Sequence, residues 1–283
     1  PKLQWPDNAI ANAVYDPHER NPARRYKGFL GAIDRRPMVS PDGVRWKLLN
    51  VPKLPSSDES NLSYDPESRT FIATLKTSGP HGRAHAIWTS RDFQSWTNLK
   101  VVFHADDEDQ RLAKANVEAR LADSTLHPVN VNPAACNADI YNIGIFRYQG
   151  LYIGLPAVFH SSGSDGFQLI QLACSRDLRT WQRLGDRKPF IGPSPVGQGA
   201  YDLTQLLPPS APVVRNDELW FYYTGVKYRT APPNPDPDWG AVCLAVLRRD
   251  GFISLDAGEK EGVLVLKPFV LTGGPLHVNV DAR

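Results

Sequence analysis

The chain has 283 residues, with 32 Lys and Arg against 30 Asp and Glu, 41% apolar residues and 10% aromatic. A net charge of +2 lacks the basic stripe of a nucleic-acid binder, and no apolar run approaches the ~18 residues of a spanning helix. Cys136, Cys174 and Cys243 are far apart and show no zinc spacing, which predicts buried small hydrophobes and neither a metal nor another cofactor.

Short apolar runs are broken throughout by 25 Pro and 21 Gly, the pattern of an all-β chain with many turns. The first unit reads "NAVYDPHERNPARRYKGFLGAI" and ends in "SPDGVRW", Ser40 to Trp46. The second carries an apparent hairpin, "NLSYDPESRTFIATLK", then "GRAHAIWTS", and ends in "SRDFQSW", Ser90 to Trp96. An insertion follows, roughly Asp106 to Asn137, rich in Ala, Asp, Glu and Lys. It reads as an excursion with a short helix, and its acidic run Asp106 to Asp109 as solvated loop. The third unit, "DIYNIGIFRYQGLYIGLPAVF" and "GFQLIQLACS", ends in "SRDLRTW", Ser175 to Trp181. The fourth, "APVVRNDELWFYYTGV" and "GAVCLAVLRRDGFISL", has Arg249-Asp250-Gly251-Phe252 in place of the Ser-x-Asp turn.

Each unit thus predicts strand, turn, strand, loop, strand, tight turn, short strand. That is the four-stranded antiparallel blade of a β-propeller. The repeated Asp42, Asp92 and Asp177 fit turns, where a carboxylate accepts hydrogen bonds from the following backbone N–H groups. Trp46, Trp96 and Trp181 are expected to bury their indoles between blades. The repeats are fasteners, and chemistry is sought elsewhere.

Residues leading into the first strand of each blade converge on one end of a propeller axis. Three units place acids there: Asp58 and Glu59 in "SSDESNLSYD", Asp139 in "NADIYNIGIF", and Asp202 in "GQGAYDLTQL". Glycoside hydrolysis needs such convergence, with one carboxyl as acid and another as base or nucleophile. Asp202 or Asp139 is the candidate for one partner and Glu59 or Asp58 for the other. Lys76, Arg83, His85, Arg147, His160 and Lys227 lie at comparable strand ends. They are candidates for binding substrate and tuning carboxyls. Trp239, in a Pro-rich loop, is a candidate to stack on a sugar ring. No phosphate loop, H-E-x-x-H or G-x-S-x-G is present.

"RYKGFL", "SPDGVRW", "DESNLSYDP", "SRDFQSWTN", "NDELWFYYTG" and the tail from Leu244 onward resemble bacterial proteins like glycoside hydrolase families 32 and 43. The resemblance spans nearly the whole chain. It implies a five-bladed propeller over residues 1–270, with 271–283 a terminal strand or the start of an accessory β element. A fifth blade would be incomplete or completed by both chain ends. The resemblance also implies a carboxylate triad on the first strands of three blades, carried over by position to Asp58 or Glu59, Asp139 and Asp202. The Trp-Met-Asn-Asp-Pro, Arg-Asp-Pro and Glu-Cys signatures of invertase-like enzymes are absent. The expected activity is cleavage of a terminal sugar or short oligosaccharide in polysaccharide degradation, in a secreted or periplasmic setting. The alternatives are a non-catalytic carbohydrate- or protein-binding propeller, and phosphorolysis or elimination on the same scaffold. Oligomeric state is not legible.

Overall fold

A computed structural model describes residues 10–31, 33–229, 238–271, 273–276, 278 and 280. They form four antiparallel sheets. Blade 1 runs β1 (Ile10–Tyr15), β2 (Tyr26–Leu30), β3 (Ile33–Ser40) and β4 (Lys47–Leu48), with β5 (Leu54–Ser57) paired to β3. Blade 2 is a regular meander of β6 (Ser60–Asp65), β7 (Thr70–Gly79), β8 (Gly82–Ser90) and β9 (Thr97–His104). The insertion contributes helix α1 (Asp107–Ala122). Blade 3 has β10 (Asn137–Tyr148), β11 (Leu151–Ser162), a third strand broken into β12 (Asp165–Ile170) and β13 (Ala173–Ser175), and β14 (Trp181–Arg183). Blade 4 has β15 (Gln205–Leu207), β16 (Val213–Arg215), β17 (Glu218–Val226) and β18 (Gly240–Arg248).

The expectation of five blades, each of four strands, is therefore corrected to four blades among the described residues. Blade 4 departs furthest from the unit. β15 and β16 pair with opposite halves of one edge of β17, and β18 takes the other edge. They are one first strand interrupted by "PPSAP", residues 208–212, since proline cannot donate to a ladder. Beyond β18 no strand occurs among the described residues of 251–283. Val242, Leu244 and Val246, alternate positions on β18, stay exposed.

The three Ser-x-Asp turns are built alike. Ser90 Oγ accepts from the Asp92 and Phe93 N–H groups, and Asp92 Oδ1 accepts from those of Gln94 and Ser95 at 2.8 Å each. The same bonds recur at Ser40/Asp42 and Ser175/Asp177. In each turn the residue after Asp is left-handed: Gly43, Phe93 and Leu178. A side chain there costs about 1–2 kcal/mol. Phe93 and Leu178 are buried, and burying such a side chain returns about 1.5–3 kcal/mol. The strained backbone is thus offset by the core that its side chain enters.

Two of the three tryptophans bridge blades as expected. Trp96 packs 5.5 Å from Phe29 of blade 1, and Trp181 packs 5.7 Å from Phe103 of blade 2. Trp46 instead covers Gly28 of its own blade, where a Cβ would come within 2.9 Å of the indole.

The acidic run expected to be solvated loop starts α1. Asp106 and Asp109 form a reciprocal capping box, which satisfies N–H groups left open at a helix start. Asp109 is buried and bonded to Arg183 and Arg187, each at 2.9 Å. That ties the insertion to blade 3.

First strands meet in the middle. β6 contacts both β1 and β10, and the seam is polar. Asn12 and Ser60 share hydrogen bonds, Asn61 Nδ2 donates to Asn142 Oδ1 at 2.8 Å, and Ser210 Oγ donates to Asn61 Oδ1 at 2.7 Å. The proline interruption of blade 4 supplies Ser210. Its neighbour Pro209 lies so close to β10 that a Cβ on Gly144 would sit 1.9 Å from the Pro209 carbonyl oxygen. Only glycine fits there, and the interruption fills the centre between blades.

Candidate active site

The site forms where β6 and β10 begin. Pairing of β6 with β7 sets Ser60 opposite Leu75, so Glu59 falls beside Lys76. Arg35, buried on β3, fixes the preceding turn. Its guanidinium donates to Ser60 Oγ at 2.7 Å, to the Gly31 carbonyl at 2.6 Å and to the Asp58 carbonyl. Asp58 is left-handed at φ 70, a conformation Asp tolerates better than most residues. That twist turns the Asp58 and Glu59 carboxyls toward one cation. Lys76 Nζ donates to Asp58 Oδ2 at 2.8 Å and to Glu59 Oε2.

The two carboxyls are hydrogen-bonded to each other as well, and their acidities diverge. Burial raises Asp58, but hydrogen bonds with Glu59 and Lys76 and the charges of Lys76 and Arg83 outweigh it, leaving it below the ordinary Asp range. Burial and the bond with Asp58 push Glu59 up despite Lys76. One proton shared between adjacent carboxyls behaves this way, because both cannot ionise cheaply.

Asp139 belongs to the same constellation. It is the third residue of β10 and buried; Arg83 Nη1 donates to its Oδ2 at 2.7 Å. Gly82, at φ +111, makes room: a Cβ there would come within 3.0 Å of the same oxygen. Asp139 Oδ1 has no hydrogen-bond partner. Burial raises its pKa above the ordinary Asp value, outweighing the Arg83 charge. A buried carboxylate charge short of donors is costly, and protonation removes the charge.

Tyr141 joins the two halves. Lys76 Nζ lies 4.0 Å from its ring centroid, and the guanidiniums of Arg83 and Arg229 lie 5.2 Å and 5.4 Å away. The β10–β11 register slips between Ile140 and Asn142, a bulge at Tyr141, and bulges re-aim side chains. Burial and the Glu59 charge push its phenol up to about 12. It is therefore a neutral hydroxyl near neutral pH.

The sequence candidates fall into two groups. Asp58, Glu59, Lys76, Arg83 and Asp139 come together. His85 lies beneath them, fully buried, with Nε2 3.3 Å from the Tyr141 carbonyl oxygen. It supports the wall and does not reach the open side. Asp202, His160, Arg147, Lys227 and Trp239 have partners elsewhere. Asp202 is buried in blade 4, where its Oδ2 accepts from Tyr223 at 2.7 Å and Ser194 at 3.0 Å. His160 is buried against Phe167, with Nε2 3.0 Å from Asn116 Nδ2. Arg147 stands eight residues from Asp139 along β10, about 26 Å at a strand's rise, and pairs with Glu67. Lys227 covers the Tyr201 ring at 4.8 Å. Trp239 Nε1 donates to the Tyr228 carbonyl at 2.9 Å.

Sequence reasoning passed over Tyr141, Phe159 and Arg229. The bulge leaves one trace: Ile140, Ile143 and Ile145 share one core cluster, although a regular strand sends residues three apart to opposite faces. Arg229 carries no local signal, because it lies just past the end of β17, outside any strand pattern.

No family model matches the chain, and no curated protein matches it. Solved structures similar to it include a β-1,2-mannobiose phosphorylase from Listeria innocua, at 16% identity and TM-score 0.48, covering 90% of this chain and 68% of that one. A glycoside hydrolase structure aligns at 12% identity and TM-score 0.47, over 89% of this chain and 72% of its own. A GH32 β-fructofuranosidase from the silkworm Bombyx mori aligns at 8% identity and TM-score 0.45, over 84% of this chain and 46% of the enzyme.

Proposed function

We propose that the protein is a carbohydrate-active β-propeller enzyme that cleaves a glycosidic bond with Asp58, Glu59 and Asp139. The observation that carries the reading is the gathering of three carboxyls on Lys76 and Arg83, the two cations that face the Tyr141 ring, with their acidities pushed in opposite directions. Glycosidic cleavage needs a carboxyl that keeps its proton and one that is ionised. Asp139, raised by burial, is the general acid that protonates the leaving oxygen. Asp58, lowered and exposed, is the ionised partner, acting as nucleophile or as base toward water. Glu59 holds the shared proton, and Lys76 keeps Asp58 ionised. Arg83 orients Asp139. Asp202, bound to Tyr223 and Ser194, has a structural role in this reading.

A second reading is glycan binding without turnover. It is favoured by one observation: Asp58, Glu59 and Asp139 each already hold a cation. One experiment separates the two. Turnover of a panel of neutral and acidic oligosaccharides is measured for the wild type and for Asp58→Asn, Asp139→Asn and Asp202→Asn. General acid–base catalysis predicts losses of about 10²–10⁴-fold in the first two variants, with Asp202→Asn retaining most activity per folded molecule. Binding of a panel sugar with no turnover by the wild type favours the second reading. Equal turnover in the wild type and in Asp58→Asn and Asp139→Asn overturns the first.

A further inference from the structure

Arg229 stands out among the cations of this region. Lys76 is held by Asp58 and Glu59, and Arg83 by Asp139. Arg229 has no carboxylate partner among the described residues. Its guanidinium lies 5.4 Å from the Tyr141 centroid and 5.1 Å from that of Phe159, the two rings that Arg83 also faces at 5.2 Å and 5.4 Å. Among the described residues its one polar contact is donation to the Tyr141 hydroxyl, at 3.3 Å, a long and weak bond. A guanidinium presents five donors, and the others of this fork have no acceptor among the described residues.

The same residue lines a cavity of about 360 Å³ with His127, Val129, Asp165, Thr204 and Tyr228. His127 and Tyr228 pack 5.0 Å apart and give the cavity an aromatic side. Asp165 lines the same cavity as a carboxylate, but no ion pair joins it to Arg229 among the described residues: its two oxygens accept from the Asn130 N–H at 2.6 Å and the Gly166 N–H at 2.8 Å. Burial and the Arg120 charge hold His127 below its ordinary value, so the imidazole is neutral. The cavity lining therefore carries one guanidinium, which also reaches the Tyr141 hydroxyl, and one carboxylate already taken up by backbone N–H groups.

We propose that this cavity binds an oxyanion, and that Arg229 receives it through paired hydrogen bonds. The oxyanion is either the carboxylate of a uronic-acid sugar in the substrate or free phosphate acting with it. The inference rests on the carbohydrate reading for the identity of the ligand, though the anion site itself stands on Arg229 and the cavity. A planar fork matches carboxylate and phosphate oxygens two at a time, which an ammonium does not.

The test is equilibrium binding, which needs no turnover and so stands apart from whether Asp58 and Asp139 catalyse. Glucuronate, inorganic phosphate and neutral glucose are titrated into the whole protein by NMR, for the wild type, Arg229→Ala and Arg229→Lys. The expected result is that glucuronate or phosphate binds at least about tenfold more tightly than glucose. Arg229→Ala loses at least about tenfold of that affinity, and Arg229→Lys retains part of it. Thermal unfolding of both variants checks that they fold. Tight glucuronate alone identifies a uronate substrate, and tight phosphate alone identifies a phosphate co-substrate. Glucose binding as tightly as both anions, or anion affinity unchanged in both variants, overturns the proposal.

Discussion

His85 and His160 make the fold sensitive to mild acid, by an amount the structure allows to be worked out. Both are buried, at 0% and 1% exposure. Burial, with the nearby Lys76 charge, holds His85 down from 6.5 to about 3. Burial holds His160 down to about 4, against a small opposing effect from Asp109. A histidine whose folded value is depressed contributes stability that is complete above its unfolded value. That stability is lost as pH falls toward the folded value. The window is therefore about pH 6.5 down to about 3–4. Between about pH 7.5 and about pH 5 the unfolded chain protonates both imidazoles while the folded chain protonates neither, which costs ~2 kcal/mol for each. Glu59 and Asp139 work the other way. Their folded values are raised, so they favour the folded state at low pH and lose that contribution as pH rises. The histidine effect is isolated by difference. Thermal melts of the wild type and of His85→Asn/His160→Gln are compared across this range. The wild type is expected to lose ~4 kcal/mol more than the double variant, roughly 8–16 °C of melting temperature for a domain of this size. Equal losses in the two proteins would falsify the assignment of both imidazoles as buried and neutral.

The other expectations concern separate parts of the molecule. In the wild type, kcat/KM should fall on the alkaline side as Asp139 loses its raised proton, and on the acid side only below the ordinary Asp range, where Asp58 protonates. A pH–rate profile on any turned-over glycan checks this, and an alkaline limb unchanged in residual Asp139→Asn activity would remove Asp139 as the acid. Gly144→Ala should destabilise by about 1–3 kcal/mol or more, because its methyl meets the Pro209 carbonyl and the backbone must move; urea unfolding measures it. Asp92→Ala should cost ~1 kcal/mol through the lost turn bonds and leave substrate affinity unchanged, read from paired melts and titrations.

The blade was legible because its signals are local. Asp92 bonds the N–H groups two and three residues on, and Trp96 buries against the neighbouring Phe29. The spacing of Ser-x-Asp-x-x-x-Trp therefore marked blade ends correctly three times. The number of blades was not legible. It depends on how blade 4 finishes, and there the first strand is split by prolines while the Asp250 turn leads to no outer strand among the described residues. Asp106 to Asp109 misled for a related reason: a charge run looks solvated until Arg183 and Arg187, more than seventy residues away, close on it.

The candidate site divides along the same line between local and distant causes. Asp58, Glu59 and Asp139 were candidates by their position at strand starts, a local property, and the structure brings them into one cluster. Asp202 has the same local position, yet its carboxylate turns into blade 4 because Tyr223 and Ser194 offer it hydroxyls. Four acids with equal standing in the sequence thus separate by their donors. Asp58 and Glu59 share Lys76, Asp139 has Arg83 and an oxygen with no donor, and Asp202 has hydroxyls. In the proposed reading, what sets the catalytic carboxyls apart from Asp202 is the set of donors around each, which exists only once blades are assembled. Tyr141 makes the point most sharply. Its bulge shifts the strand by one residue, and that slip carries the ring between Lys76, Arg83 and Arg229. An unbulged β10 would turn every side chain on one side of Tyr141 to the opposite face. Either Asp139 or Asn142 would then lose its partner, Arg83 or Asn61. The bulge lets one strand serve both the polar seam at the centre and the carboxyl cluster at its end.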